Sequence, residues 1–168
     1  MEFGVGTRLR HLLDLLDGDI AKVYADLGMP RFRPRYVPFV RAVAAHGASP
    51  IRDLARAVGV THSAASQTLG QMAREGLITL EPGTDARQRI VHLTEHARSL
   101  LPLLDAEWDA TVAAGAELDA ELPHPIGDIV EAAIAALRQR PFRERILAHA
   151  DPAALRRSGT NALPTDMA

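Results

Sequence analysis

Apolar residues at helical spacing, interrupted by a short hairpin signal, limit the folds open to this chain more than any other feature. Segments 7–27 and 126–138 repeat apolar side chains every three or four positions, which predicts amphipathic helices. Segments 77–81 and 87–93 hold β-branched and apolar residues on either side of a proline–glycine turn at 82–85, which predicts a hairpin. The expected fold class is therefore mostly α (α+β).

The hairpin follows two helices that are joined by a tight turn. Ser49 and Pro50 predict the N-cap and the first turn of a short helix, and Gly59 interrupts that helix. Thr61 then restarts a helix of about four turns. A helix-turn-helix whose second helix leads into a hairpin is a winged helix-turn-helix, so we expect that architecture at 34–98.

The helix that begins at Thr61 has one apolar face and one polar face. Ala65, Leu69 and Met72 recur at helical spacing and predict the buried face. The polar face contains no acid and consists of Ser63, Ser66, Gln67, Gly70, Gln71 and Arg74. A helix that enters a DNA major groove, which is about 12 Å wide, needs such a slim, hydrogen-bonding face. The alternative is an ordinary solvated face, although such faces are usually rich in glutamate and lysine.

The hairpin turn supplies a second set of candidate DNA contacts. Arg87 and Arg89 follow the turn, and an arginine at the tip of a wing fits a narrow minor groove, where negative potential is concentrated. Asp85 lies two residues before Arg87, where it either orients the guanidinium group or only forms the turn. Alternation along the strand puts both arginines on the face of Val91 and Leu93 unless the strand twists or bulges near its tip.

The net charge of −2 argues against a nucleic-acid partner until the distribution of charge is considered. Residues 105–131 carry eight acids and no lysine or arginine, whereas residues 31–41 carry four arginines and no acid. Residues 49–98 carry six arginines against five acids. Among the basic residues only Lys22 is a lysine. Arginine suits phosphate and guanine recognition, although a genomic composition bias explains the same ratio.

The central third of the chain resembles the MarR family of winged-helix regulators. The resemblance is carried by Ile51-Arg52-Asp53-Leu54-Ala55, Val60-Thr61-His62-Ser63-Ala64-Ala65-Ser66-Gln67, Glu75-Gly76-Leu77-Ile78, Asp85-Ala86-Arg87 and Val91-His92-Leu93-Thr94. The resemblance implies that the helix from Thr61 reads the major groove and that Arg87 reaches the minor groove. One departure is the basic segment 31–36, which either adds phosphate contacts or is a solvated connector.

These observations together predict a DNA-binding transcriptional regulator rather than an enzyme. The predicted DNA contacts are Thr61, His62, Ser63, Ser66, Gln67, Gln71, Arg74, Asp85, Arg87 and Arg89. A single module of this kind binds weakly, so we expect a homodimer on a pseudo-palindromic operator in double-stranded DNA. The net charge and the nearly neutral recognition helix favour one alternative, a winged-helix module that binds another protein.

A long helix that starts after Thr94 offers a dimer interface, with a bend expected at Pro102. Its heptad-like seam consists of Leu101, Leu104, Trp108, Thr111, Gly115, Leu118 and Leu122. Packing within one chain is the alternative use of that seam. We expect an N-terminal dimerisation helix and connector at 1–33, the winged helix-turn-helix at 34–98, C-terminal dimerisation helices at 99–150 and a flexible tail at 151–168.

The resemblance also implies a small-molecule effector, aromatic or phenolic, that binds between the DNA-binding and dimerisation lobes. The candidate contacts are His11, Tyr24, Phe39 and Trp108, although residues of these types are more often part of a core. Such a ligand would change the distance between the two DNA-binding lobes of the dimer, and so the half-site spacing, by shifting a two-state equilibrium.

Composition and motif patterns argue against several other classes of function. The chain has no cysteine, which excludes disulfides, cysteine–zinc sites, cysteine nucleophiles and a thiol switch. Its seven histidines form no HExxH motif, and a metal pair at His92 and His96 would straddle a predicted strand–helix boundary. No catalytic residue, metal site or cofactor is predicted. Because no signal peptide or apolar run of about 18 residues is visible, we expect a cytoplasmic protein with no membrane partner.

Overall fold

The computed structural model describes residues 4–83 and 88–150. The chain divides into two compact units, of which the first ends at Trp108 and the second begins at Asp109. The expected tail at 151–168 lies outside the described residues. The described part is mostly helical with a small antiparallel sheet, so the predicted fold class is confirmed.

The first unit contains the elements of a winged helix-turn-helix. Its helices are α1 (Val5–Asp26), α2 (Val37–His46), α3 (Ile51–Val58), α4 (His62–Arg74) and α5 (Glu95–Ser99), and its strands are β1 (Ser49–Pro50), β2 (Ile78–Pro82) and β3 (Arg89–Leu93). A 3-10 turn at Pro34–Tyr36 leads into α2, because proline presets the backbone angle of a helical first turn. Helix α6 (Leu101–Ala120) begins in this unit and continues into the second.

The strands form an antiparallel sheet in the order β1, β3, β2. β2 and β3 pair over their whole length and end with Pro82 opposite Arg89. The amide of Gly83 donates to the carbonyl of Gln88 at 3.0 Å, and a Cβ atom at position 83 would lie only 2.9 Å from the Gln88 Cβ. Glycine is therefore favoured where the hairpin leaves the sheet.

The core of the first unit is built around one face of α4. Ala65, Leu69 and Met72 are each 0% exposed, as their spacing predicts. They belong to one cluster of buried side chains that includes Tyr24, Tyr36, Val40, Leu54, Val91 and Leu104. Burial of a leucine or methionine side chain contributes about 1.5–3 kcal/mol, so this packing holds α4 in a single orientation.

An aromatic cluster joins α1 to the segment that precedes α2. The ring of Phe32 meets Tyr24 edge-on at 5.0 Å and Tyr36 edge-on at 5.6 Å between ring centroids. The hydroxyl group of Tyr24 donates to Glu107 Oε2 of α6 at 2.9 Å, and both residues are buried. A hydrogen bond to a carboxylate offsets the desolvation of the hydroxyl group, so α1 is tied to the start of α6.

The second unit contains the rest of α6 together with α7 (Ile126–Gln139) and α8 (Phe142–His149). The Asp119 carboxylate accepts the amide N–H of Ile126 at 2.9 Å and caps the first turn of α7. The Arg145 guanidinium donates to two backbone carbonyls near the end of α7, at 3.1 and 3.2 Å. Neither α7 nor α8 has a buried residue in the single chain. Among the described helices, none has the length and apolar content needed to cross a bilayer.

The prediction that Ser49 caps α3 is wrong. Ser49 does not cap the helix, because its hydroxyl group donates to the carbonyl of Gly47 at 3.0 Å. Ser49–Pro50 instead pair with Val91 and Ile90 as strand β1. A two-residue strand has no periodicity of its own, so its pairing depends on where the hairpin lies in the fold.

The single long helix expected after Thr94 is two helices. Thr94 Oγ1 accepts the amide of Ala97 at 3.1 Å and caps α5, which ends at Ser99. Helix α6 then begins at Leu101 with Pro102 in its first turn, where the missing N–H group of proline needs no partner. The proline marks a new helix start and not only a bend.

The chain has two tyrosines, Tyr24 and Tyr36, and the fold raises the pKa of both. Burial is the main cause for Tyr24, followed by its hydrogen bond to Glu107. Burial is also the main cause for Tyr36, followed by the charge of Glu75. The folded state therefore favours the neutral hydroxyl groups, whose pKa in an unfolded chain is about 10. The contribution of these raised pKa values to the free energy of unfolding is complete below about pH 10. It is lost as the pH rises through the folded-state pKa values.

We expect the free energy of unfolding to fall as the pH rises above about 10. Tyrosinate absorbance should appear at higher pH in the native chain than in the same chain in denaturant. A spectrophotometric titration measures this directly, because both tyrosines of the chain lie in the core. Coincident native and denatured titration curves would contradict the burial of the two hydroxyl groups.

Candidate nucleic-acid interface

A short turn sets the start of α4. Gly59 adopts a left-handed conformation (φ 76°, ψ 27°) that ends α3. The amide of Val60 then donates to the carbonyl of Ala55 at 3.0 Å. Thr61 Oγ1 accepts the amide of Ala64 at 3.2 Å, which confirms the predicted cap. The N-terminal amides of a helix carry the positive end of its dipole, so this end of α4 favours an anion.

The face of α4 opposite the core carries the short polar side chains that the sequence predicts. Ser63, Gln67 and Arg74 are exposed, and Ser66 and Gln71 are half-buried. None of the five is bulky and apolar, so the walls of a groove can approach the helix closely.

A cleft of about 330 Å³ lies beside the N-terminal end of α4. It is lined by Pro50, Ile51, Arg52, His62, Ser66, Gln88 and Arg89. Three predicted DNA contacts, His62, Ser66 and Arg89, are thereby brought together, and His62 Nδ1 lies 3.5 Å from Ser66 Oγ. The guanidinium groups of Arg52 and Arg89 give the cleft a positive lining that suits a phosphate.

Arg52 is a candidate contact that the sequence reasoning missed. Its Nε donates to Asp53 Oδ1 at 3.4 Å, and the same carboxylate oxygen lies 3.7 Å from Arg56 Nη1. These ion pairs are solvent-exposed and contribute little to stability. The sequence shows only that a basic residue stands at the start of α3. Its place in the same cleft as Arg89 depends on the pairing of β1 with β3.

Arg35 of the basic connector, whose role the sequence leaves open, lies against the polar face of α4. Its Nη2 donates a hydrogen bond to Gln71 Oε1, and its Cζ lies 5.8 Å from the Tyr36 ring centroid. The Tyr36 hydroxyl donates to Glu75 Oε1 at 3.2 Å, and Gln71 Nε2 donates to the same oxygen at 3.5 Å. We call these four residues, Arg35, Tyr36, Gln71 and Glu75, the connector cluster.

The structure describes the two strands of the wing, β2 and β3, together with Gly83 and Gln88 next to its tip. Arg89 is exposed although it shares a strand face with Val91 and Leu93, which are buried. It stands at the outer end of β3, so no twist or bulge is needed to expose it. The predicted contacts Asp85 and Arg87 lie outside the described residues.

The four candidate effector contacts have different surroundings. His11 is exposed on α1, whereas Tyr24 and Phe39 are buried in the core. Trp108 is exposed on α6, and the Arg41 guanidinium lies 5.0 Å from its ring centroid. The burial of Tyr24 and Phe39 matches the alternative that the sequence left open for them, a role in the core.

A second cleft, of about 430 Å³, lies between the α1–α2 connector, the end of α4 and α5. It is lined by Leu27, Gly28, Met29, Pro30, Arg31, Phe32, Glu75, Leu77, His96 and Leu100. None of the four effector candidates lines this cleft or the one beside the start of α4.

Histidine and carboxylate side chains do not gather into a metal site within residues 4–83 and 88–150. His92 instead faces Glu81 across the hairpin, with its Nε2 3.4 Å from Glu81 Oε2. His92 lies on β3 and His96 on α5, on the two sides of the strand–helix boundary that the sequence predicts.

Comparisons with known proteins agree with this geometry. Residues 33–88 match a family model described as the MarR family. The M. tuberculosis transcriptional regulator MOSR in complex with DNA has 21% sequence identity and a TM-score of 0.63, over 82% of this chain and 99% of that chain. The S. aureus MepR–DNA complex has 16% identity and a TM-score of 0.60, over 82% of this chain and 98% of that chain.

The apo form of wild-type MarR from E. coli has 13% identity and a TM-score of 0.52, over 84% of this chain and 100% of that chain. A comparison with curated protein sequences gives no significant match. At these identities the structural likeness establishes the fold alone, a winged helix-turn-helix.

Thr61→Ala should lower the free energy of unfolding by about 1 kcal/mol, because it removes the hydroxyl group that caps α4. Thr61→Ser keeps the acceptor oxygen and is the matched control, with a smaller expected loss. Chemical denaturation followed by circular dichroism measures both variants. Equal losses would show that the threonine hydroxyl does not act as the cap.

Proposed function

We propose, from the match of residues 33–88 to the MarR family model, that this chain is a homodimeric DNA-binding transcriptional regulator of the MarR type. Helix α4 enters the major groove, and Arg87 of the wing enters the minor groove. The partner is double-stranded DNA with a pseudo-palindromic operator. The DNA complexes among the similar solved structures, those of MOSR and MepR, support this choice of partner.

The slim polar face of α4 is the observation that carries the proposal. The opposite side of the helix is fully buried, so Ser63, Ser66 and Gln67 are held on the outer side. A glutamine amide can donate to and accept from an adenine edge, and a serine hydroxyl can bond to a base or a phosphate. This chemistry fits base reading in a major groove.

Charge attraction comes from arginines around this face more than from the face itself. Arg52 and Arg89 line the cleft at the start of α4. The proposed DNA contacts are Arg52 and the ten residues predicted from the sequence, which are Thr61, His62, Ser63, Ser66, Gln67, Gln71, Arg74, Asp85, Arg87 and Arg89. Neutralisation of phosphates by such side chains releases counterions, so DNA binding should weaken steeply with salt.

Exposed apolar helix faces support the dimer. Helix α7 carries Val130, Ile134 and Leu137 at spacings of four and three residues, and all three are exposed in the single chain. Helices α1 and α8 also expose large apolar residues, which include Val5, Leu9, Leu13, Leu16, Phe142, Ile146 and Leu147. Monomers rarely expose apolar faces of this extent, so we propose that 1–27 and 120–150 pack against the same segments of a second copy.

An aromatic or phenolic effector is also part of the proposal, with His11, Tyr24, Phe39 and Trp108 as its candidate contacts. His11 and Trp108 are accessible, whereas contact with the buried Tyr24 and Phe39 requires a local opening of the core. The effector acts by favouring one of two arrangements of the dimer. The proposed DNA partner implies a cytoplasmic site of action.

The alternative is a winged helix that binds another protein, and the net charge of −2 favours it. Salt dependence separates the two, because counterion release is a property of nucleic-acid binding. A duplex selected in vitro from genomic fragments serves as the probe. No selected duplex, or an affinity that does not change with salt, would favour the protein partner.

Arg87→Ala should weaken binding to the selected duplex by about 1–3 kcal/mol. The double variant Gln67→Ala with Arg87→Ala should weaken it further, because the two residues are proposed to contact different grooves. Arg138→Ala removes the same charge from the polar side of α7 and is the matched control. Fluorescence anisotropy at two salt concentrations measures all four proteins. A double variant that binds as tightly as the unchanged chain would contradict this mode of reading.

Leu137→Glu should shift the protein from dimer to monomer, because burial of a leucine contributes about 1.5–3 kcal/mol and a two-fold interface contains the site twice. Ala135→Glu adds the same charge on the opposite side of α7 and should leave the dimer intact. Sedimentation velocity over a concentration series measures the dimer fraction. Monomeric unchanged protein, or equal dissociation of both variants, would rule out this interface.

A further inference from the structure

We propose that Tyr36 and Glu75 are positioning residues that hold Arg35 and Gln71 as one DNA-reading pair, so that the basic connector contributes directly to operator recognition. This inference rests on the proposed function and adds a specificity-determining group to it. The connector cluster joins the segment before α2 to the polar face of α4 through three side-chain hydrogen bonds.

The orientation of the Gln71 amide is settled by its two neighbours. Its oxygen accepts from the Arg35 guanidinium, and its nitrogen donates to the Glu75 carboxylate at 3.5 Å. A flipped amide would put its N–H groups against guanidinium N–H groups and its oxygen against the carboxylate. Both flipped contacts would be repulsive, so the side chain has a single favoured orientation.

This arrangement leaves Gln71 able to bond to a base. An amide oxygen has two lone pairs and an amide nitrogen has two hydrogens, and the cluster uses one of each. The remaining lone pair and hydrogen are the two groups that a glutamine uses to contact an adenine edge. A pre-oriented amide also loses less conformational freedom when it binds.

Arg35 is held beside Gln71 by a second contact. Its guanidinium lies 5.8 Å from the centroid of the Tyr36 ring, which is within the range of a cation–π interaction. The guanidinium has five N–H donors, so the bond to Gln71 leaves others for a phosphate or a guanine. Arg35 is exposed, so these donors face solvent on the side of α4 that is proposed to meet DNA.

Glu75 is the shared acceptor of the cluster. A single carboxylate oxygen accepts from the Tyr36 hydroxyl at 3.2 Å and from Gln71 at 3.5 Å. A carboxylate near DNA would repel phosphates if its charge were not balanced, and Arg35 supplies a positive charge at the same place. Because the Tyr36 ring is 0% exposed, the hydroxyl group fixes Glu75 from the core side.

Val43 provides a control for a general loss of stability. Its side chain is buried in the same core and lies on α2, outside the connector cluster and outside the proposed DNA and effector contacts. Val43→Ala removes apolar volume and should cost at least as much stability as the loss of the Tyr36 hydroxyl group. The variant therefore shows what destabilisation alone does to DNA binding.

The test compares the ratio of affinities for the selected duplex and for a scrambled duplex of the same length and salt concentration. Tyr36→Phe should lower this ratio about fivefold, because it removes the hydrogen bond that holds Glu75. Val43→Ala should leave the ratio unchanged. Glu75→Gln keeps an acceptor oxygen, so its affinity ratio should stay closer to that of the unchanged chain than the ratio of Glu75→Ala does.

A double-variant cycle separates positioning from general destabilisation. If Tyr36 acts through Gln71, the loss caused by Tyr36→Phe should largely disappear in a Gln71→Ala background. Equal ratios for Tyr36→Phe and Val43→Ala, or additive losses in the cycle, would overturn the positioning role while the proposed function stands. An unchanged chain that does not distinguish the two duplexes would overturn both.

Discussion

Burial of one face of α4 is the constraint on which the remaining structure depends. Ala65, Leu69 and Met72 are fully enclosed by the core, so the helix cannot rotate without exposing them to water. The polar side chains on the opposite face are therefore held outward as a set. The same packing places the start of α4 beside β3, which creates the positively lined cleft that contains Arg52 and Arg89.

A second set of contacts extends this surface beyond the helix-turn-helix. Phe32 packs between Tyr24 and Tyr36, and each tyrosine hydroxyl donates to a different glutamate, Glu107 on α6 or Glu75 at the end of α4. The connector is consequently part of the core on one side and of the α4 surface on the other. Helix α4 itself is nearly neutral, and arginines from neighbouring segments lie around it.

Local sequence signals were sufficient for most of the fold. The caps at Thr61 and Thr94, the left-handed Gly59 and the turn that contains Gly83 are determined by chemistry within a few residues. Strand β1 was missed because its two residues become a strand only when β3 lies beside them. One long helix was predicted after Thr94 because the apolar spacing continues through position 100, whereas the backbone ends α5 at Ser99 and starts a new helix at Leu101.

The sequence by itself determined the winged-helix layout and the chemical character of both faces of α4, because helical period and capping are local properties. Only the tertiary structure decided which other side chains join the polar face. Arg52 and Arg35 reach it through strand pairing and through packing of the connector, which act between residues distant in the chain. The polar face of α4 can thus be predicted from spacing, whereas the arginines that surround it depend on how the core brings separate segments together.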